Sequence, residues 1–275
     1  MAFRDYHTHT RLCKHASGEP EDYAAAAVRA GLAELGVSDH CPWPSGYDTR
    51  WRMSPAEFPL YRDIVAGLKG KVSGVKIKYG IEIDWVPGRM DGVEENISGE
   101  SFDYIIGSIH YIDGTPFDSE ESLEEWRVPG KAEKLWRRYA ELLYDFAEWG
   151  RFDIIAHPDL PKKFGFKTPA YDKFLESMDK ALAKAAEKNI ALEINTGGLR
   201  KPVGEMYPSE EILRLAAARG MAVTFGSDAH CPGDVGANFR EAAELAKKCG
   251  VTRTVSFTQR KKTLLDIQAA DSHKG

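Results

Sequence analysis

Short apolar or β-branched runs alternate along the chain with longer stretches of helical spacing, the pattern of βα units around a mostly parallel sheet. The runs predict strands over 3–7, 33–37, 75–83, 102–106, 152–156, 190–194 and 221–225, with a candidate eighth at 252–257. Between them the spacing predicts helices over 19–30, 54–68, 131–149, 170–188, 209–219, 238–248 and 261–269. Ser17-Gly18 opens the first, and Ser54 with Pro55 gives the second a cap and a first turn. Seven or eight such units in 275 residues fit a closed barrel, which takes about 250 residues, better than an open sheet. The expected fold is α/β, a distorted TIM-like barrel spanning 1–275 as a single domain. An open doubly wound sheet is the alternative, although the glycine fingerprint of a dinucleotide site is missing.

Composition narrows the partners. Apolar residues make up 43% and charged residues 29% of the chain, enough for a sizeable core in a water-soluble protein. No apolar run approaches the roughly 20 residues of a membrane span, and the opening MAFRDYHTHT has no signal core, so no membrane partner and a cytoplasmic location are expected. The formal net charge of −5, with no long basic block, disfavours nucleic acid. Four scattered cysteines fit a reducing compartment, and Cys13, Cys41 and Cys231 each stand within two residues of a histidine.

The histidines carry the chemistry. His7, His9, His15, His40, His110, His157 and His230 fall at or just past the C-terminal end of a predicted strand, where barrel enzymes build their sites; only His273, in the polar tail, does not. A lone histidine there is more often a surface or hydrogen-bonded residue, but seven on one rim would repel if protonated together. They are most easily kept neutral as ligands of cations, with Glu82 and Asp228 supplying compensating charge. The period of two in His7-x-His9 places both rings on one face of an extended segment. Nine nitrogen and oxygen donors exceed what one ion accepts and point to two or three metals with a bridging carboxylate. The three neighbouring cysteines are weighed as small buried residues and left outside the donor set.

In order along the chain, DYHTHT, LCKHA, SDHCP, GIEIDW, GSIHY, AHPDL and GSDAH resemble the motifs of the polymerase-and-histidinol-phosphatase (PHP) superfamily of metal-dependent phosphoesterases. The resemblance runs from Asp5 to His230 and implies a distorted (β/α)7 barrel, which demotes the eighth strand. It implies that His7 and His9 hold one ion with Asp228, that Glu82 bridges it to a second held by His110 and His157, and that His15, His40 and His230 hold a third. Three divalent ions are thus expected, with zinc, manganese or iron all suited to mixed histidine and carboxylate shells.

Three further stretches, 107–118, 156–165 and 193–209, resemble the histidinol-phosphatase branch. The implied activity is hydrolysis of L-histidinol phosphate to histidinol and inorganic phosphate by metal-activated hydroxide, in histidine synthesis. Arg200 with Lys162 or Lys163 is the expected phosphate clamp, and Asp159 or a metal-bound water the expected proton donor to the leaving alkoxide. Trp43, Tyr47, Trp51, Trp85 and Phe117 are candidate walls of an imidazole pocket, each weighed against simple packing. The alternatives are another small-molecule phosphoesterase or phosphodiesterase, a 3′–5′ nuclease of the same superfamily, and a non-catalytic metal-binding module.

Overall fold

The computed structural model describes residues 2–43 and 48–267; Tyr47, His273 and the last two positions of the predicted helix 261–269 lie outside them. The strands are β1 (Arg4–Asp5), β2 (Glu34–Val37), β3 (Lys76–Tyr79), β4 (Glu82–Asp84), β5 (Ile106–Ser108), β6 (Tyr111–Ile112), β7 (Thr115–Pro116), β8 (Ile154–Ile155), β9 (Ala191–Asn195), β10 (Val223–Gly226), β11 (Arg253–Thr258) and β12 (Lys261–Asp266). The helices are α1 (Pro20–Arg29), α2 (Phe58–Lys71), α3 (Met90–Ile97), α4 (Leu123–Arg127), α5 (Lys131–Trp149), α6 (Tyr171–Glu187), α7 (Glu210–Ala218) and α8 (Phe239–Lys248). Among the described residues no helix is long and apolar enough to cross a membrane.

Parallel pairing runs β3-β2-β1-β10-β9-β8-β5-β4. Its two ends belong to one stretch of chain. The predicted strand 75–83 breaks at Gly80-Ile81: β3 pairs with β2 in the register Val37↔Tyr79, and β4 pairs with β5 in the register Glu82↔Ile106. At the break the Gly80 amide donates to Val37 O (2.8 Å), while Ile81 O accepts from the Ile106 amide (2.8 Å). The stretch therefore bonds to both neighbours and closes a seven-stranded α/β barrel, with the break at Gly80-Ile81 as its seam.

Close approach inside the barrel explains the glycines at the seam. Tyr104 is fully buried and donates its hydroxyl to Tyr6 O (2.7 Å). A Cβ on Gly36 would lie 2.0 Å from that hydroxyl, and one on Gly80 would lie 2.3 Å from the ring. Tyr6, Tyr104, Ile106, Ile154, Val255 and Phe257 form this inner core, separate from the larger one under the helices.

The C-terminal segment departs from expectation twice. Residues 253–258 do form a strand, but β11 branches from β10 at Val223↔Thr254 instead of joining the ring, so the ring keeps seven members. Residues 261–266 form β12, not a helix. Gln259 and Arg260 hold φ of +48° and +64°, the two-residue reversal of a hairpin, and β12 pairs antiparallel with β11 over six positions. That pairing overrides a weak helical spacing. The hairpin plugs the N-terminal end of the barrel: the Phe257 amide donates to the Tyr6 hydroxyl (3.1 Å), and Lys78 Nζ donates to Phe257 O (2.5 Å).

The long helices form where they were expected. α1 starts with Pro20 in its first turn and a reciprocal Glu19–Asp22 capping box, and α5 buries Leu135, Trp136, Tyr139, Leu142, Leu143 and Phe146 before ending at Gly150, φ +64°. α3 and α4 were not anticipated; both are short, and each offers only two or three apolar positions to mark it.

Overpacking at the seam gives a direct test. Gly36→Ala should lower unfolding free energy by about 1–3 kcal/mol, measured by urea denaturation. Adding Tyr104→Phe, which removes the clashing oxygen, should recover part of that loss even though it forfeits the bond to Tyr6. Strict additivity of the two changes would show that the hydroxyl is not the source of the strain.

Candidate metal centre

All but one of the site's side chains lie past the C-terminal end of a strand, and Glu82 stands in the seam between β3 and β4. His7 and His9 follow β1, His40 follows β2, Glu82 opens β4, His110 follows β5, His157 follows β8, and Asp228 and His230 follow β10; His15 ends the loop after β1. The backbone is forced at two of these positions. His157 has φ +23° and Asp228 has φ +53°, conformations costing about 1–3 kcal/mol each for residues other than glycine.

The nine residues meet at one point. Glu82, fully buried, has Oε2 2.9 Å from His40 Nδ1, 3.3 Å from His7 Nε2 and 3.7 Å from His9 Nε2, while Oε1 lies 3.4 Å from His157 Nε2 and 3.8 Å from His110 Nε2. Asp228 Oδ1 lies 3.3 Å from His9 Nε2. His9 and His230 stack at 4.1 Å between ring centroids, and His15 and His230 at 4.5 Å. Donor atoms within 4.8 Å of one another form the groups His7–His9–Glu82, His7–His157–Asp228, His9–His40–His230 and Cys13–His15–His230. Overlapping groups of this kind can hold more than one divalent ion.

Four histidines are oriented from behind. His7 Nδ1 bonds Glu193 Oε1 and His110 Nδ1 bonds Asp84 Oδ1, both at 2.7 Å. His15 Nδ1 meets Cys13 O at 2.8 Å and His230 Nδ1 meets Asp228 O at 3.0 Å. A bond at Nδ1 fixes the tautomer and turns Nε2 toward the centre. A Cβ on Gly226 would lie 2.0 Å from Glu193 Oε1, so the missing side chain makes room for that orienting carboxylate. Asp39 plays a related part, accepting from Thr10 N at 3.2 Å and facing His9 Nδ1 at 3.6 Å.

Protonation alone leaves this cluster divided. Burial disfavours the charged forms of His7 and His9, but Glu193, Glu82 and Asp228 outweigh it at His7, which titrates well above an ordinary imidazole, and the nearby carboxylates of Asp228 and Asp39, 3.3 and 3.6 Å away, lift His9 to about 9. Burial together with His40 lowers His15 to about 4, and burial with His9 holds His230 far below normal. Glu82, despite burial, is held well below the carboxylate range by His40 and His7. Even so, both Glu82 oxygens, His7 Nε2, both nitrogens of His9, His40 Nδ1 and His230 Nε2 are buried without a hydrogen-bond partner. Burying polar atoms unpaired is costly, and divalent ions among them would give partners to the atoms that face one another.

The centre opens into a cavity of about 670 Å³ whose wall includes Trp51, Arg200, Lys163, Asp118, Tyr207 and Asp228. Arg200 donates to Ser227 O (2.5 Å) and pairs with Asp234, and Lys163 pairs with Asp118 at 3.0 Å. Two expected residues are elsewhere. Lys162 is buried behind the wall, its ammonium held by Asp159 (3.0 Å), Glu205 (3.3 Å) and Met206 O (2.7 Å). Asp159 is fully buried with it and accepts from the Ser209 amide, so neither residue reaches the cavity. A 3-10 turn over Leu160–Lys162 swings both inward.

Of the aromatic candidates, Trp51 lines the cavity edge-on to His15 at 5.4 Å. Trp85 stacks on Phe146, Phe117 packs on Trp126, and Trp43 lies under Arg52. Sequence reasoning passed over Glu193, Asp84 and Asp39, although each lies in or beside a quoted motif; an acid two residues from Glu82 in a buried strand was the available signal.

Comparison with known proteins agrees with the geometry. Residues 5–197 match the PHP domain. The Deinococcus radiodurans protein named "probable histidinol-phosphatase" is 40% identical over 94% of this chain and 97% of its own length. A solved structure from Listeria monocytogenes superposes with a TM-score of 0.79 at 25% identity, over 86% of this chain and 99% of that one. The histidinol phosphate phosphatase of Lactococcus lactis, solved with zinc, L-histidinol and phosphate, superposes with a TM-score of 0.76 at 22% identity, over 95% of this chain and 98% of that one. With the barrel, the rim histidines and the matched span in accord, the chain belongs to the PHP domain family.

Proposed function

We propose that the protein is a metal-dependent phosphomonoesterase that hydrolyses L-histidinol phosphate to L-histidinol and phosphate, acting in the cytoplasm on a small molecule. The reading rests chiefly on one observation: Glu82, buried without a hydrogen-bond donor on either oxygen, sits among five imidazoles at the floor of an open cavity. The Deinococcus relative, similar over nearly its whole length, supplies the substrate.

The donor set fits divalent ions, because its unpartnered nitrogens and oxygens face one another. His7, His9 and Asp228 would hold one ion, His110 and His157 a second with Glu82 between them, and His15, His40 and His230 a third; zinc, manganese or iron suits such shells. Such ions supply charge neutralisation at the phosphoryl group and acidify water to a pKa near 7. The chain supplies the rest. Glu193, Asp84 and the carbonyls behind His15 and His230 hold the rings in place before substrate arrives, so no reorganisation is needed during the reaction.

Arg200 and Lys163, both on the cavity wall, would bind phosphoryl oxygens; Lys162 and Asp159 take no part in contact with substrate. Beyond the donors, Asp48, Asp118, Glu120 and Glu121 also line the cavity. Arg52, Lys163, Arg200 and Lys201 share that wall, so the mouth offers charges of both signs to a small substrate carrying phosphate and ammonium but no continuous basic track for a polynucleotide, which favours the small monoester over a nuclease substrate.

Chelation should abolish turnover of histidinol phosphate, and zinc should restore it. Glu82→Ala should lose bound metal by elemental analysis and at least about 10³-fold in kcat while keeping its circular dichroism; full activity in metal-free protein would refute the centre. Arg200→Ala should raise KM about 10-fold or more, consistent with loss of about 1.5–3 kcal/mol for a charge-assisted bond, whereas Lys162→Ala should leave KM unchanged and lower stability.

A further inference from the structure

The three cysteines beside the site histidines separate in the structure. The Cys41 thiol donates to Pro42 O (3.4 Å), and Cys231 is only half-buried. Cys13 is fully buried, and its sulfur lies within 4.8 Å of donor nitrogens of both His15 and His230; it is also grouped with His9 and Asp39 at the same spacing.

The loop after β1 makes this placement. Thr10 caps a 3-10 turn over Arg11–Cys13 by accepting from the Leu12 amide (3.2 Å), and the Cys13 amide returns to Thr10 O (3.1 Å). Lys14 then takes φ +73°, and this reversal brings the His15 ring back onto Cys13, where Nδ1 donates to the Cys13 carbonyl. His230 donates its own Nδ1 to Asp228 O. Both rings are thereby committed at Nδ1, and Nε2 is the nitrogen each has left for a ligand. His230 Nε2 has no partner, and neither has either nitrogen of the fully buried His9, which faces the same point.

The geometry points to Cys13 as a thiolate donor to the ion at the His15–His230 end of the centre. This rests on the metal-centre reading above and extends it by one ligand. Binding replaces the thiol proton, released to solvent, with a sulfur–metal bond. A sulfur donor beside two or three imidazoles makes this position softer than the ones that include Glu82 and Asp228, and so selects zinc over manganese there.

Protein stripped of metal and reloaded with cobalt(II) should show a sulfur-to-cobalt charge-transfer absorption in the near ultraviolet. The band should be absent from Cys13→Ser and present in Cys41→Ser and Cys231→Ser. X-ray absorption at the zinc edge of the unaltered protein does not depend on any variant folding, and should reveal a sulfur scatterer at about 2.3 Å. Only nitrogen and oxygen neighbours, or a band that survives in Cys13→Ser, overturns the assignment while leaving the metal centre standing. Protein that takes up neither cobalt nor zinc removes the centre itself, and this ligand with it.

Discussion

A carboxylate enclosed on every side and hydrogen-bonded at neither oxygen is the constraint around which this molecule is arranged. Glu82 is held there by backbone: its amide donates to Asp39 O (3.0 Å), its carbonyl accepts from the Cys41 amide (2.8 Å), and β4 pairs with β5 on the other edge. It therefore sits on the seam that closes the barrel and has no freedom to withdraw toward solvent. The penalty for an isolated buried charge is several kcal/mol even after relaxation. Five imidazoles with nitrogens 2.9–3.8 Å away offset it only if positive charge resides among them. Ring closure and cation binding are thus linked by a single residue.

That link explains why so many acids stand one layer back. Glu193 and Asp84 each hold an imidazole at 2.7 Å, and Asp84 is in turn held by Arg52 at 2.7 Å. Asp5 takes the Ser227 and Gly236 amides at 3.0 and 2.9 Å, tying the loop that carries Asp228 to the strand that carries His7. These groups fix orientation, and orientation is what a preorganised site requires. The strained φ at His157 and Asp228 belongs to the same economy of placement, since both residues are kept by surrounding bonds in conformations they would leave if free.

Much of this was legible in the chain because barrel strands end where chemistry begins. Strand ends placed the seven histidines and Asp228 on one rim, the family resemblance joined Glu82, inside the third predicted strand, to them, and the coordinates bring all nine together. What escaped prediction depended on partners distant in sequence. β12 is a strand because β11 lies beside it and Gln259-Arg260 reverses the chain, and neither fact is visible in the spacing of Lys261–Asp266. Lys162 and Lys163 are adjacent and chemically alike, yet a 3-10 turn sends one behind the wall and leaves the other on it. The orienting acids were hidden for a related reason: a carboxylate that bonds to a histidine is indistinguishable in sequence from one that binds an ion.

The cavity's two chemistries are complementary in a way that bears on selectivity. Its floor gathers imidazoles and carboxylates suited to cations and through them to a phosphoryl dianion. Its rim carries Asp48, Asp118, Glu120 and Glu121, with Trp51 beside His15. Asp118 is paired with Lys163 and Glu121 with Arg50, and Arg52, Arg200 and Lys201 share the same wall, so the rim carries charges of both signs. A substrate with phosphate at one end and positive charge at the other finds opposite charge for each end. A longer polyanion would meet a carboxylate beside each cation, with no continuous basic track to follow.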